Sequence, residues 1–486
     1  MSQSSEAGTA VSLLDKIVDQ GHMAYDDAQR GYARDLVAEF VNQVVAPGQT
    51  MSADTVEAIN LRIAEIDRLI GEQLNEVMHA PDFQQMEATY RGMAYLVFNT
   101  ETSTRLKLRV LNVSRKDLQR DLEKAVEFDQ SALFKMVYEE EYGTLGGTPY
   151  GLLVGDYEFG RHPQDIALLE KISNVAAAAH APFVAAASSR MFDMDSLSDI
   201  GIPRDLSKIF ETAEMIKWRS FRNSEDSRYV ALVLPHMLLR LPYGPDTKPV
   251  EGMNFVEAVD GRDHSKYLWG NAAWALAARI TDAFAKYSWT GAIRGVEGGG
   301  KVEGLPTHTF RSDDGDIALK CPTEVAITDR REKELNDLGF ITLVHCKNTD
   351  YAAFFSGQTA NKPKMYDTNE ANANSRLSAM LPYVMAASRF AHYVKVMMRD
   401  KVGSFMSRED VDYYLNRWMT GYILTDDRAT QAAKASYPLR DGRVDVTEVP
   451  GKPGAYRATI FLRPHFQLEE LTASIRLVAD LPPPAA

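Results

Sequence analysis

Three apolar runs lie between residues 152 and 235: LLVGDYEF, PFVAAAS and RYVALVLP. Two stretches with helical spacing, 163 to 180 and 204 to 221, separate them. A short run that is apolar on nearly every residue is what a strand buried on both faces requires. Such strands alternating with helices read as βαβ units. The pattern predicts an α/β core with at least some parallel strands. ITLVHCK (341 to 347) adds a further strand, and residues 265 to 287, with Tyr267, Trp269 and Trp274, read as an amphipathic helix.

Other elements surround this core. Val56, Ile59, Ile63, Ile66, Ile70 and Leu74 recur at steps of three and four, predicting a helix over 53 to 78, and another is expected over 83 to 99. TRLKLRVLNV alternates through Leu106, Leu108 and Val110 as a half-buried strand would. Residues 115 to 139 return to helix, and EYGTLGGTPYG (141 to 151) is dense in turn residues. A long apolar helix is expected over 375 to 402, kinked or broken near Pro382, then a second helix over 407 to 424. The end is strand-like: GRVDVTEV, a PGKPGA turn, YRATIFLRP and LTASIRLVA.

The beginning is less patterned. VSLLDKIVDQGHM (11 to 23) reads as a short amphipathic helix, with Ser12 as cap, Asp15 three residues on, and Gly21 as terminator. Leu13, Leu14, Ile17 and Val18 form its apolar face. A helix this short is marginal alone. Its face needs its own domain, a membrane or another protein. AEFVNQVVAPGQT, with Val41, Val44 and Val45 ahead of Pro47 and Gly48, fits a short helix, an extended segment or a linker.

Bulk properties exclude several classes. The formal net charge of −13 argues against a general nucleic-acid binder or a ligand of anionic membranes, both of which need a basic surface. The two cysteines, Cys321 and Cys346, are too few for a disulfide framework or a four-cysteine zinc site. The opening MSQSSEAGTA has neither a basic nor an apolar leader region. No stretch approaches the ~18 apolar residues of a membrane span. A soluble cytoplasmic protein is expected.

Candidate catalytic motifs fall short. Gly295-x4-Gly300-Lys301 matches most of a phosphate-binding loop, but Val302 stands where its Ser or Thr belongs, and Gly304 and Pro306 interrupt the required helix. A flexible surface loop is the better reading. GTLGGTPYG lacks the strand and helix spacing of a dinucleotide fold. His345 and Cys346 are adjacent in a strand and point to opposite faces. HExxH and Gly-x-Ser-x-Gly are absent. Asp193 and Asp195 lack supporting acidic residues for a metal. Met380, Met385, Met397 and Met398 read as core or interface, His392 as a core or interface histidine, and DRREKELNDLGF (329 to 340) as a solvated helix face in preference to a polar docking surface for a partner. No catalytic, cofactor-binding or metal-binding residues are assigned.

Long segments carry a resemblance. LLDKIV, RIAEIDRLIGEQLNEVMHAPDFQQMEATYRG, LKLRVLNVSRKDL, FDQSALFKMVYEEEYGTLGGTPYGLLVGDYEF, PFVAAASSRMF, LSKIFETAEMIKWRSFRNSEDSRYVALVLP and ANANSRLSAMLPYVMAASRFAHYVKVMMRDKVGSF occur in this order. The pattern resembles the large sheath subunit of the bacterial type VI secretion system, the TssC/VipB family, over nearly the whole chain. The resemblance implies a structural subunit without enzymatic activity, with a contractile-sheath fold of mixed sheets flanked by helices. It implies pairing with a small sheath subunit (TssB/VipA family) and polymerisation with other copies around an inner tube of Hcp from a baseplate. It also implies recycling by a ClpV-type AAA+ ATPase that recognises the N-terminal helix through Leu13, Leu14, Ile17 and Val18. Neighbouring subunits would exchange strands: residues 31 to 55, with Val41, Val44 and Val45, would be supplied to a neighbour's sheet containing Val444, Val446, Ile460, Leu462, Ile475 and Leu477. The expected organisation is an arm over 1–55, an α/β domain over 56–370 and a C-terminal domain over 371–486. No cofactor, nucleic acid or membrane insertion is implied. The competing readings are an α/β cytosolic enzyme with an unrecognised site, and an adaptor whose first helix lies on a membrane. The acidic Asp15 and Asp19 disfavour the latter.

Overall fold

A computed structural model describes residues 13–44, 55–311, 315–404, 406–426, 428–451, 454–465 and 467. The chain divides into two compact units, residues 1–80 with 242–258, and residues 81–241 with 259–486.

The first unit is helical. Helices α1 (Leu13–Gln20), α2 (Asp27–Val44) and α3 (Thr55–Met78) follow one another. The α1 helix ends where Gly21 N–H donates to Ile17 O at 2.9 Å, with His22 taking the left-handed φ of 50°. It packs on α2, burying Val18 and Ala33. Asp19–Arg30 and Asp15–Arg34 ion pairs flank that contact. The stretch expected to be an arm is therefore helical through Val44. Its valines cluster at one end, which hides the helical period. Residues 242–258 strap onto α3: Asn75 Oδ1 accepts from Ala258 N–H at 2.8 Å and Asp67 from Asn254 N–H at 3.2 Å.

The second unit is built on a six-stranded mixed sheet. Its members are β1 (Leu153–Phe159), β2 (Phe183–Ala187), β3 (Val230–Leu234), β4 (Lys301–Val302), β5 (Phe340–His345) and β6 (Ala352–Phe354). The order is β1-β2-β3-β5-β6-β4. The first four pair in parallel and the β5–β6 and β6–β4 pairs are antiparallel. Alternate residues serve opposite faces, as the pleat dictates. Leu232, Leu234 and Phe340 enter one core with Ile172 and Trp218, while Val233, Ile341 and Leu343 enter another with Leu276 and Ile280. Double-sided burial is why β2, β3 and β5 are apolar nearly throughout, whereas β1, at the sheet's edge, carries Asp156 and Glu158 and is only partly buried. Helices α4 (Pro81–Phe98), α5 (Arg115–Lys124), α6 (Pro163–Ala179), α7 (Ile216–Asn223), α8 (Ala273–Tyr287) and α9 (Asp329–Asp337) belong to this unit.

The α10 helix (Asn369–Ser378) stops one residue pair before α11 (Leu381–Asp400), so Pro382 stands in a first turn, where its missing N–H costs nothing. The α12 helix (Arg408–Thr420) follows under a Ser407–Asp410 capping box. Strands β7 (Leu439–Glu448) and β8 (Tyr456–Pro464) form an antiparallel hairpin. Their core contains Trp289 stacked on Phe390 at 4.6 Å, with Leu415, Met419, Val444 and Val446.

Several expectations need correction. Residues 106–113 form no strand, because no other described strand pairs with them. The helix expected over 204–221 is broken at Thr212, which takes an extended backbone. Tyr267 and Trp269 precede α8, Trp269 lying in a two-residue strand with Gly270. Residues 115–139 break after α5 into short turns of helix. The glycine-rich loop is not a free surface loop: Gly295 N–H donates to Phe354 O at 2.7 Å, and Gly300 O accepts from Phe354 N–H at 3.0 Å. Lys301 begins β4 and pairs with Glu303. In the charge run, Leu335 and Arg331 are buried, and Arg331 Nη2 donates to Ile202 O at 2.7 Å. Only part of that helix face is solvated. Residues 471–479 lie outside the described residues. Among the described residues no helix is long and apolar enough to cross a membrane.

Candidate assembly interface

The N-terminal helix presents one side only. Ile17 is 43% exposed, whereas Val18 is buried against α2. Leu13 and Leu14 stand in α1, but their side chains lie outside the described residues. The face expected to be offered as a whole is thus divided, because α2 folds back and covers Val18. Val41 and Val44 belong to the last turns of α2, and Val45 lies outside the described residues.

The C-terminal hairpin has two unlike edges. Val444 stands opposite Ile460, Val446 opposite Ala458 and Gly442 opposite Leu462. Val444 and Val446 are buried, and Ile460 and Leu462 pack partly buried beside them. The outer edge of β7 meets α12. Asn416 Nδ2 donates to Val444 O at 2.8 Å and its Oδ1 accepts from Val444 N–H at 2.9 Å, while Asp412 Oδ1 accepts from Val446 N–H at 3.2 Å. Val444 therefore turns both polar groups away from β8. Opposed residues in an antiparallel ladder alternate between bonded and non-bonded pairs. Ala458, Ile460 and Leu462 thus turn their own N–H and C=O groups away from β7, toward the outer edge of β8. Among the described residues no strand occupies that edge. The side chains of the expected exchange residues hold the core, while the main chain of β8 is what the hairpin offers. Ile475 and Leu477 lie outside the described residues.

Open α/β sheets usually place ligands beyond the carboxyl ends of their parallel strands. Here the ionisable groups of that region partner one another. His236, just past β3, places Nδ1 2.6 Å from Glu324 Oε2 and Nε2 3.0 Å from Glu158 Oε1 at the end of β1. Burial pulls the imidazolium down, but the two carboxylates override it and raise its pKa to about 10. Both ring nitrogens then donate, one to each carboxylate. His392 differs: it is buried on α11, its Nε2 donates to Ala179 O at 2.9 Å, and burial lowers its pKa to about 4. Asp193 pairs with Arg161 at 2.8 Å. The described residues hold no group of His, Cys, Asp and Glu arranged for a metal.

The edge-capping residues escaped sequence reasoning. Asn416 and Asp412 carry the i, i+4 spacing of one helix face, which is the only signal they give.

Two family models match consecutive parts of the chain. The EvpB/VC_A0108 tail sheath N-terminal domain matches residues 60–361, and the EvpB/VC_A0108 tail sheath gpW/gp25-like domain matches residues 370–481. The chain is 50% identical over 435 residues to the type VI secretion system sheath protein TssC1 of Pseudomonas aeruginosa, spanning 89% of this chain and 87% of that protein. Two solved structures align more distantly. The anti-feeding prophage helical sheath in its contracted state gives 11% identity and a TM-score of 0.31 over 63% of this chain and 66% of that one. The anti-feeding prophage baseplate gives 12% and 0.35 over 77% and 83%.

Proposed function

The chain belongs to the TssC/VipB family of tail sheath proteins, and from that premise we propose how it works as a structural subunit of the contractile type VI secretion sheath. The observation that carries this reading is half-identity to a secretion sheath protein over nine-tenths of the chain. In the proposal the chain pairs with a small sheath subunit of the TssB/VipA family in the cytoplasm. The pairs polymerise from a baseplate around an inner tube of Hcp. Head-to-tail contacts that do not close generate such helical polymers. Contraction is a switch between two packings of one lattice, with energy stored during assembly. The subunit then needs no catalytic site.

Two surfaces support this role. The α3 helix exposes Leu61 at 61% together with Ile63, Ile66, Leu69 and Ile70, apolar area of the kind that subunit contacts cover. We assign the small subunit to this helix. The open edge of β8 suits a strand added from a neighbour. A donor within residues 31–55 of a neighbouring copy would have to unwind the end of α2 if it uses Val41 and Val44. Shortening residues 31–55 should leave soluble heterodimers while disturbing lattice assembly or contraction. Normal contraction in such variants would refute the exchange.

The N-terminal helix is proposed as the handle of a ClpV-type ATPase, hidden in the extended sheath and exposed after contraction. Because Val18 is packed on α2, the ATPase either reads the Ile17 side alone or displaces α2. Equal ATPase binding to both sheath states would count against the switch.

A further inference from the structure

LKLRV has the alternation of a strand, yet its main chain has no strand beside it. Among the described residues, no backbone N–H or C=O of residues 107–112 makes a hydrogen bond. The segment is nevertheless held in place by side chains. Leu108 packs beside Leu96 and Ala278. Arg109 pairs with Glu141 and its Nη1 donates to Tyr150 Oη at 3.1 Å. Tyr157 Oη donates to Val113 O at 2.8 Å, and Ser103 N–H to Leu106 O at 2.9 Å. Val110 and Leu111 remain 72% and 54% exposed. Six consecutive residues without main-chain partners, with Val110 and Leu111 facing water, are the features of an unfilled strand edge.

The segment also has a charge signature. Residues 102–116, TSTRLKLRVLNVSRK, contain five basic residues and no acidic one, in a chain of net charge −13. Arg105, Lys107 and Lys116 make no ion pair among the described residues. A strand laid here would meet cations along its length, so acidic residues in it would be favoured. A second copy of this chain is a poor source. Its acidic strand β7, with Asp441, Asp445 and Glu448, is already paired with β8 on one edge and capped by Asn416 and Asp412 on the other.

We propose that residues 107–112 receive an extended, acidic, apolar-alternating strand from a different polypeptide, joined edge to edge through the main chain. This rests on the reading of the chain as part of a heteromeric sheath only in needing a second polypeptide. It also accounts for a strand pattern that the isolated chain leaves unused.

The test places a photo-crosslinking residue at Val110 in the full chain, co-expressed with a small sheath subunit. The crosslinked peptides of the co-purified complex are identified by mass spectrometry. Hydrogen exchange is compared between free chain and complex. The crosslink should fall in an acidic strand of the other polypeptide, and amides 107–112 should exchange about a hundredfold more slowly in the complex. The double change Arg105→Glu, Lys107→Glu should remove the crosslink while leaving the free chain's thermal unfolding unchanged. Crosslinks to another copy, or to residues 468–486 of the same chain, would overturn the proposal. So would unchanged exchange in the complex. Tube formation scores the sheath reading separately, since both readouts apply to the complex whether or not tubes form.

Discussion

Asn416 holds both backbone polar groups of Val444, donating to its carbonyl at 2.8 Å and accepting from its N–H at 2.9 Å. One amide side chain thus stands in for a neighbouring strand and closes the edge of β7. Replacing Asn416 with Ala leaves those groups unsatisfied beside α12. The expected cost is roughly 1–3 kcal/mol in urea unfolding, with increased self-association by light scattering as a second edge opens. Asn416→Asp should retain the acceptor, lose the donor, and fall between the two. Unchanged unfolding in Asn416→Ala would show that the cap contributes nothing.

Gly92 in α4 faces Trp274 of α8 so closely that an added Cβ would lie 2.3 Å from the indole Cδ1. No rotation of the methyl relieves this. Gly92→Ala should force the two helices apart at a cost of about 1–3 kcal/mol, read as a lowered thermal midpoint. A Trp274→Leu companion change should recover part of the loss by making room.

His236 and His392 set opposite pH limits. His236 has a folded pKa raised to about 10, above its unfolded value, so its stabilisation is complete below about pH 6.5 and is lost as pH rises through 10. Its removal in His236→Gln should cost roughly 3 kcal/mol near neutrality and flatten the alkaline limb of the stability curve. His392 has a folded pKa lowered to about 4. The unfolded chain therefore binds the proton first, and stability falls as pH drops from about 6.5 toward 4. His392→Gln should remove that acid slope. Urea midpoints measured across pH 4 to 10 would separate the two limbs.

Ile17 and Val18 are neighbours with different tasks. Val18→Asp buries a charge between α1 and α2 and should release α1, seen as faster proteolysis at the N-terminus. Ile17→Asp should leave that packing intact, and Leu14→Asp with Ile17→Asp should abolish capture by the disassembly ATPase while sheath assembly persists. Survival of capture in the double variant would contradict the assignment.

The inner strands β2, β3 and β5 were legible because burial on both faces writes a short apolar run bounded by turn residues. The β7 and β8 hairpin was legible from alternation and its PGKPGA turn. The α2 helix was not, since Val41, Val44 and Val45 crowd one end and its remaining residues favour no face. The alternation at 106–110 has the pattern of a half-buried strand without its pairing, because pairing depends on a neighbour that periodicity does not reveal. The Asn416 cap depends on the register between α12 and β7, 28 residues apart, a tertiary fact with no local signature. The division of the first helix into a buried Val18 and an exposed Ile17 likewise follows from where α2 returns.

The central claim is that this chain is a sheath subunit whose contacts propagate. Co-expression with a small sheath subunit, followed by negative-stain electron microscopy of the purified material, tests it most directly. Long hollow tubes, or cogwheel-like rings in end view, are the predicted result. A monodisperse monomer that forms neither, and that turns over a small molecule, would contradict the account.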